Sequence, residues 1–396
     1  MVTTPFEDSG GTAWTTLAQE RIFLDAVAAE SPRVSTLRLG SSAGGNGMYA
    51  YAITPSGVPV PDVVGGVFAV GAQHGNEVAG REACLQWIRD LAAAPTAPPL
   101  PVVVIPTGNP DGVAAGVRQN AAGQDVNRTH AALSSPEAWA IDSVWHRSDP
   151  LLVVDLHESD PSFMSSTTSP VDFRAYEYVA APGLRAEGDA LIAALRAEFP
   201  NSGLYPALTE HEGPLTSVAP ARGNPMVLAE TRITDTPLSR VANALTVLQS
   251  AYAWAQVRDL QSVRVAARVW NRGEGFAAHV PVWLYENGYQ AAPVGFRIRY
   301  GDVPWSVLGA HGIRAVDVSS WGHDQYVPMD QPTYAVIPWL LDPRAPRPVA
   351  PAVPVFPGDE PAVDLGIDRF HSPRLLSVGR TPARRVVAGG GIVWGT

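Results

Sequence analysis

The stretch that decides the fold is VVGGVFAVGAQHGNEVAGREACLQWIRDLAA (63–93), in which a predicted strand is followed directly by a predicted helix. VVGGVFAVGA (63–72) is an apolar run typical of a buried strand, and Glu77–Ala93 has the apolar spacing of a helix. The polar sequence HGNE (74–77) lies where the strand gives way to the helix. Open α/β sheets bind ligands at the carboxyl ends of their strands, so this junction is the first candidate site.

Short apolar runs alternate with longer helical patterns through the first 258 residues. Further buried strands are predicted at MYAYAIT (48–54), PVVVIP (101–106), LLVVDLH (151–157) and PMVLAE (225–230). Helical spacing recurs in Trp14–Ala29, Ser135–Arg147, Leu184–Phe199 and Pro237–Val257. This alternation predicts an α/β fold, with a mostly parallel or mixed sheet flanked by helices, over residues 1–258.

The pattern changes after Asp259. Apolar and polar residues alternate in SVRVAARVW (262–270), HVPVWLYENG (279–288) and VGFRIRY (294–300), which predicts a small antiparallel β module over 259–343. The proline-rich segment 344–361 is predicted to be a semi-rigid linker, because proline cannot continue a helix or a central strand. Residues 362–396 form a β-prone tail.

Composition excludes several classes of protein. Of the 396 residues, 46% are hydrophobic and 17% charged, which is typical of a globular chain. The formal charge of −10 argues against a nucleic-acid partner, and no apolar run is long enough for a membrane span. The single cysteine, Cys84, excludes an internal disulfide framework. The N-terminus lacks the features of a signal peptide, so we expect a cytoplasmic or virion-associated protein.

Three residues near strand ends form a candidate metal site. His74 and Glu77 are three residues apart at a helix entrance, where an imidazole and a carboxylate can share one Zn²⁺ ion. His157 ends another strand at the same expected edge of the sheet. Taken singly, such a His–Glu pair is most often a surface feature, and a strand-end histidine is most often a packing residue. Three such ligands would leave a fourth position open for water, as in catalytic zinc sites.

The polar stretch 107–130 lies between these ligands and contains few apolar residues. It places Arg118, Asn127 and Arg128 in one loop. Two guanidinium groups and an amide that converge can hold a carboxylate, because arginine offers a planar two-point donor. A solvated loop without a ligand is the alternative interpretation.

Taken in order, these motifs resemble the zinc metallocarboxypeptidase family over about residues 12–258. The matching motifs are HGNE (74–77), NPDG (109–112), RQNAAGQDVNR (118–128), DLH (155–157) and AET (229–231). The resemblance implies an enzyme with one zinc ion, which His74, Glu77 and His157 would bind.

The same resemblance assigns the remaining roles. Glu230 corresponds to the family's catalytic glutamate, the general base that takes a proton from zinc-activated water. Arg118 corresponds to the arginine that polarises the scissile carbonyl and stabilises the oxyanion. Asn127 and Arg128 correspond to the pair that binds the free carboxylate of a peptide substrate. The family's mobile tyrosine has no clear counterpart, and Tyr205 is the nearest candidate.

Two other functions remain open at this stage. Deacylases of the succinylglutamate desuccinylase and aspartoacylase type share a similar ligand pair, arginine loop and late glutamate, and would act on an N-acyl amino acid. The third hypothesis is a structural component of a phage tail that retains the hydrolase domain, acts on cell-wall peptide and docks onto a larger assembly through its C-terminal tail.

Overall fold

The computed structural model describes residues 2–130, 133–176, 181–206 and 214–271, together with seven short strands between residues 295 and 394. The helices of the first part are α1 Pro5–Asp8, α2 Leu17–Glu30, α3 Ala79–Ala93, α4 Pro110–Ala115, α5 Pro136–Ser148, α6 Pro182–Glu198, α7 Leu215–Ala221, α8 Pro237–Gln256 and α9 Leu260–Asn271. Its strands are β1 Val34–Ser41, β2 Gly47–Ile53, β3 Val67–Gly71, β4 Val102–Ile105, β5 Leu152–Ser159, β6 Val171–Arg174 and β7 Met226–Arg232.

These seven strands form one mixed sheet in the order β1-β2-β4-β3-β5-β7-β6. The central strands β4, β3, β5 and β7 are parallel to one another, whereas β1, β2 and β6 join through antiparallel pairs. Strands β3, β4 and β5 are buried along their whole length, which explains their continuous apolar sequences. The predicted fold class is therefore confirmed, and the outer strands β1 and β6 are additions that the sequence pattern did not reveal.

Helices cover the sheet and form its main apolar core. Helix α3 is buried along most of its length and packs against α2 and α8. Within this core the Trp87 ring meets the Tyr252 ring edge-on, with 5.8 Å between the ring centres. Helix α5 contacts β1 and β2, and α7 contacts β5 and β7. No helix among these described residues is long and apolar enough to cross a bilayer.

The prediction of a strand at SVRVAARVW (262–270) is wrong, because these residues belong to helix α9. Leu260, Arg264 and Ala267 are all buried and recur at helical spacing. Ala267 packs with Leu184 of α6. The short alternation of valine and arginine is compatible with the two-residue period of a strand and with the 3.6-residue period of a helix. Packing against α6 selects the helix. The packed part of the chain thus continues past the boundary predicted at residue 258.

Antiparallel strands follow in the C-terminal part, as the sequence pattern predicts. Strands β8 Gly295–Ile298, β9 Arg314–Asp317, β10 Gln325–Pro328, β11 Val353–Val355 and β12 Asp368–Phe370 form a five-stranded sheet. Strands β13 Arg384–Val387 and β14 Gly391–Trp394 pair separately. Strand β11 lies within the predicted linker 344–361, and it is an edge strand, where proline is tolerated. The segment HVPVWLYENG lies outside the described residues, and the division of the C-terminal part into module, linker and tail stays a prediction.

We expect Trp87→Ala to lower the free energy of unfolding by about 3–5 kcal/mol, because it leaves a cavity between α3 and α8. Val257→Ala is the control, since Val257 is 80% exposed and should change stability by no more than about 0.5 kcal/mol. Denaturant unfolding of the full chain, followed by far-UV circular dichroism, measures both values. Equal effects of the two substitutions would contradict this account of the core.

Candidate metal centre and active site

The three predicted metal ligands come together at the carboxyl ends of β3 and β5. His74 and Glu77 lie in the loop between β3 and α3, and His157 lies in β5, which pairs in parallel with β3. One potential ligand atom from each residue lies within 4.8 Å of the other two, and all three residues are buried. The sequence predicted this grouping from the spacing of His74 and Glu77, from the strand-end His157 and from the resemblance to zinc metallocarboxypeptidases.

The loop that carries His74 and Glu77 is pressed against α4. A Cβ atom on Gly75 would lie 1.9 Å from the carbonyl carbon of Gly112 in α4, so a residue with a side chain cannot occupy this position without moving the loop. At the start of the loop, Ala72 has a φ of 46°, in the left-handed region that alanine rarely adopts. Asn109 N–H donates to the Ala72 carbonyl at 2.9 Å and holds this turn. The NPDG turn therefore fixes the ligand loop.

The donor atoms of the cluster point towards one another. His74 Nδ1 lies 3.0 Å from His157 Nδ1. Glu77 Oε1 lies 2.8 Å from His74 Nδ1, and Glu77 Oε2 lies 2.8 Å from His157 Nδ1. Zinc–nitrogen bonds are about 2.0–2.1 Å long, so two nitrogens at this separation can bind the same ion. Two imidazole nitrogens and one carboxylate are a known donor set of catalytic zinc. The residues present therefore fit a zinc ion.

Carboxylates orient both imidazole rings from behind. His74 Nε2 lies 3.1 Å from Asp125 Oδ1, and His157 Nε2 lies 3.1 Å from Asp155 Oδ1. A carboxylate on the outer nitrogen directs the inner nitrogen to the metal and raises its basicity. The Gln73 amide donates to Asp155 at 2.7 Å and so supports the second pair.

Charge interactions keep the cluster ionised. Burial alone would raise the pKa of Glu77, but His74 and His157 outweigh it and hold this pKa well below its usual range. Burial alone would lower the pKa of His157, but Asp155 and Glu77 outweigh it and hold this pKa well above its usual range. The Glu77 carboxylate therefore stays charged, which favours a cation bound beside it.

Glu158 links the metal strand to two helices. Its carboxylate accepts hydrogen bonds from Arg240 Nε at 2.5 Å and Arg240 Nη2 at 2.8 Å, and from Ala79 N–H at 2.9 Å. The residue before α3 is Val78, and its side chain makes no capping hydrogen bond. Glu158 of strand β5 accepts a hydrogen bond from the first N–H group of the helix, that of Ala79, in its place. Because these three hydrogen bonds occupy its carboxylate, Glu158 is poorly suited to act as the general base in place of Glu230.

Glu230 lies beside the cluster at the same edge of the sheet. It is paired in register with His157 on the adjacent strand, and its side chain is buried. Burial, with the negative charges of Glu77 and Asp155, raises the pKa of Glu230 to about 8, although His157 opposes the shift. The sequence predicted Glu230 at the end of a strand of the same sheet, and it lies two residues before the end of β7.

One cavity of about 350 Å³ contains the other predicted site residues. Its lining includes Glu77 and Glu230 together with Arg118, Asn127, Arg128 and Tyr205. Arg118 reaches Glu77 Oε1 at 3.1 Å and Asp125 Oδ2 at 2.9 Å. The Asn127 amide oxygen accepts from the Leu215 N–H at 2.9 Å, which fixes its orientation. The loop residues therefore share one pocket with His74 and Glu77 of the metal cluster.

Tyr205 also lines this cavity, and its hydroxyl lies 3.2 Å from Ser159 Oγ. Burial and the neighbouring Glu230 carboxylate raise the pKa of Tyr205 to about 12, so the phenol is a hydrogen-bond donor at neutral pH. The structure thus brings every predicted site residue to one place. Two other acidic contacts of the site, Asp125 and Asp155, were not predicted as functional. Asp155 could have been found, because it precedes His157 by two residues and so shares its face of the strand.

Residues 21–158 match the protein family described as zinc carboxypeptidase. Among curated proteins, the chain is 35% identical over 97 residues to Probable carboxypeptidase 2 of Arthroderma benhamiae and to Carboxypeptidase 2 of Trichophyton tonsurans. Each alignment covers 23% of this chain and 18% of the relative, so the match spans under a fifth of those proteins' length.

Among solved structures, the chain resembles carboxypeptidase A from Helicoverpa armigera with a TM-score of 0.50 and 15% identity. That match covers 62% of this chain and 74% of the other, and it supports the fold. The resemblance to zinc metallocarboxypeptidases is thereby confirmed for residues 21–158, on a fold that is carboxypeptidase-like.

Proposed function

We propose that this protein is a zinc-dependent carboxypeptidase that removes the C-terminal residue of a peptide. The observation that carries the proposal is a pocket in which His74 and Glu77 of the His74–Glu77–His157 cluster lie together with Glu230 and Arg128. A metal-binding cluster, a carboxyl group and a guanidinium group are the components that hydrolysis at a free chain end requires. In this proposal His74, Glu77 and His157 hold one ion.

A bound zinc ion would supply Lewis-acid activation of water and of the scissile carbonyl. Glu230 would accept the proton from that water and later deliver it to the leaving amine. Its position favours this role, because it lies beside His157 at the pocket wall. Glu158, the other nearby carboxylate, is held by Arg240 and Ala79.

The pocket offers arginines for two further tasks. Arg128 would bind the terminal carboxylate of the substrate, with Asn127 beside it, so that cleavage removes the last residue. Arg118 would polarise the scissile carbonyl, since its guanidinium reaches the ligand Glu77. Tyr205 would donate a hydrogen bond to the substrate from the pocket lining.

The substrate class distinguishes this proposal from a deacylase. A carboxypeptidase requires peptides with a free C-terminus, whereas a deacylase prefers N-acyl amino acids. The cell-wall peptide and the phage-tail setting stay predictions, because no feature of the described residues bears on them.

Glu77→Gln should reduce bound zinc from about one ion per chain to almost none, because the substitution removes the charged ligand. Glu30→Gln is the matched control, since Glu30 is exposed at the end of α2 and should leave the zinc content unchanged. Elemental analysis after dialysis against a weak chelator measures the content. A Glu77→Gln protein that retains stoichiometric zinc would exclude Glu77 as a ligand.

Glu230→Gln should keep its zinc but lose turnover by roughly 10²–10⁴-fold, the usual contribution of a general acid–base group. Glutamine preserves the size of the side chain and removes its proton-accepting carboxylate. Turnover of a peptide with a free C-terminus and zinc content are measured on the same sample. Near-normal turnover would show that another group is the base, whereas loss of zinc would make Glu230 a ligand.

Arg128→Ala should raise KM for a peptide with a free carboxylate by roughly 10–100-fold, the loss expected for a charge-assisted hydrogen bond. The amidated form of the same peptide is the control: it has no carboxylate for Arg128 to bind, and it is measured as a competitive inhibitor because a carboxypeptidase does not cleave it. Steady-state kinetics give KM for the free peptide and the inhibition constant of the amidated peptide, which should change little. A similar loss in both constants would argue against a carboxylate anchor at Arg128.

A further inference from the structure

A buried histidine and a buried glutamine lie behind the candidate metal cluster. His130 ends the polar stretch 107–130, and Gln73 directly precedes the proposed ligand His74. Both side chains are completely buried, as is that of Asp155 in strand β5. Neither His130 nor Gln73 lines the catalytic pocket, and the proposed function assigns no role to either of them.

These side chains form a series of polar contacts that ends at a proposed zinc ligand. His130 Nε2 lies 2.6 Å from Gln73 Oε1, and the Gln73 amide nitrogen donates to Asp155 Oδ1 at 2.7 Å. Asp155 Oδ1 in turn lies 3.1 Å from His157 Nε2. Two residues outside the metal cluster thus reach the His157 ring through one carboxylate. We call His130, Gln73 and Asp155 the polar series.

The chemistry of the groups fixes the direction of the hydrogen bonds in the polar series. Burial lowers the pKa of His130 to about 4, although the Asp155 carboxylate opposes the shift, so the ring is uncharged at neutral pH. An amide oxygen can only accept, so the one N–H of His130 is on Nε2 and donates to Gln73. The Gln73 nitrogen must then face Asp155. Turning this amide over would set its oxygen against a carboxylate and its nitrogen against an N–H, so both contacts would become repulsive.

Gln73 holds the Asp155 carboxylate in place. Among the described residues, the donors that reach this carboxylate are the Gln73 amide and the His157 ring, and both contact Oδ1. Asp155 Oδ2 has no hydrogen-bond partner within that part of the chain. The Gln73 hydrogen bond therefore sets the position of Oδ1, and Oδ1 orients the outer nitrogen of His157.

The burial of His130 is unfavourable apart from its contact with Gln73. Its ring is completely buried, yet Nδ1 has no hydrogen-bond partner among the described residues. A phenylalanine ring would occupy similar space without an unpaired polar atom of its own. The hydrogen bond from Nε2 is therefore the property that a histidine contributes at this position.

We propose that His130 and Gln73 are positioning residues of the metal site, which hold the Asp155 carboxylate against His157 and so keep the inner nitrogen of His157 directed at the ion. The inference rests on the zinc-binding part of the proposed function. His130 acts through Gln73, and Gln73 acts through Asp155. Because His130 ends the stretch that carries the proposed substrate-binding arginines, its hydrogen bond also ties that stretch to the loop of the metal ligands.

Zinc affinity tests the polar series directly. The dissociation constant for Zn²⁺ is measured on the full chain by competition with a chromogenic chelator. Gln73→Met keeps the length of the side chain and removes the amide, so it should weaken Zn²⁺ binding by roughly tenfold or more, as is usual for groups behind a metal ligand. His130→Phe should weaken binding by roughly threefold to tenfold, the contribution of one neutral hydrogen bond.

A double variant shows whether His130 acts through Gln73. If the contacts work in series, His130→Phe should cost nothing further once Gln73 is methionine, so the double variant should bind Zn²⁺ as Gln73→Met does. His130→Gln retains an N–H donor and should restore most of the affinity. His146→Phe is the matched control, since His146 is a partly buried histidine that contacts Arg222 instead. It should keep the parent dissociation constant. Circular dichroism establishes that each variant is folded.

The outcomes separate this inference from the proposed function. Parental Zn²⁺ affinity in both single variants would show a purely structural role and overturn the inference. Fully additive losses in the double variant, or no recovery in His130→Gln, would overturn the action of His130 through Gln73. A parent chain that binds Zn²⁺ but cleaves no peptide with a free C-terminus would overturn the carboxypeptidase proposal and leave the positioning role standing. A parent chain that binds no Zn²⁺ would overturn both.

Discussion

The parallel pairing of β3, β5 and β7 is the constraint on which the rest of the site depends. Parallel strands end at the same edge of a sheet, so the residues that follow or terminate them must meet there. His157 and Glu230 are direct neighbours in the β5–β7 ladder, and the loop after β3 brings His74 and Glu77 to the same edge. The flanking antiparallel strands widen the sheet without contributing a proposed ligand. The order of the central strands therefore brings the site residues to one edge of the sheet, whichever contacts they then make there.

Charge balance then determines how this edge can be stable. Glu77, Asp125, Asp155 and Glu230 bring four carboxyl groups close to two imidazoles and the Arg118 guanidinium. Buried carboxylates are costly unless they are paired, and here each imidazole is held between an inner and an outer carboxylate. These carboxylates also direct the inner nitrogens of both imidazoles towards one point. Electrostatic stability and metal geometry therefore favour the same placement of the two rings.

The surroundings of the cluster couple these ligands to the helices. Glu158 follows His157 in the chain, caps α3 at Ala79 and binds Arg240 of α8. A displacement of α8 would thus shift the strand that carries His157 and the helix that follows Glu77. Arg240 also lies against the ring of Trp14, so the same network reaches the segment that precedes α2. The metal cluster and the helices around it are therefore supported by shared contacts.

The sequence by itself determined the central strands and the main helices, because local apolar periodicity specifies them. It also placed His74, Glu77, His157 and Glu230 at or just after strand ends, whereas the roles proposed for them came from the resemblance to zinc metallocarboxypeptidases. Tertiary structure alone decided the rest. The alternation in SVRVAARVW fits two periods, and packing of Ala267 on α6 selected the helix. Asp125 is 51 residues from His74 in the chain, and its contact arises only when the arginine loop folds over the ligand loop. Glu158 and Arg240 are likewise 82 residues apart, and no local pattern in the sequence reveals their contact.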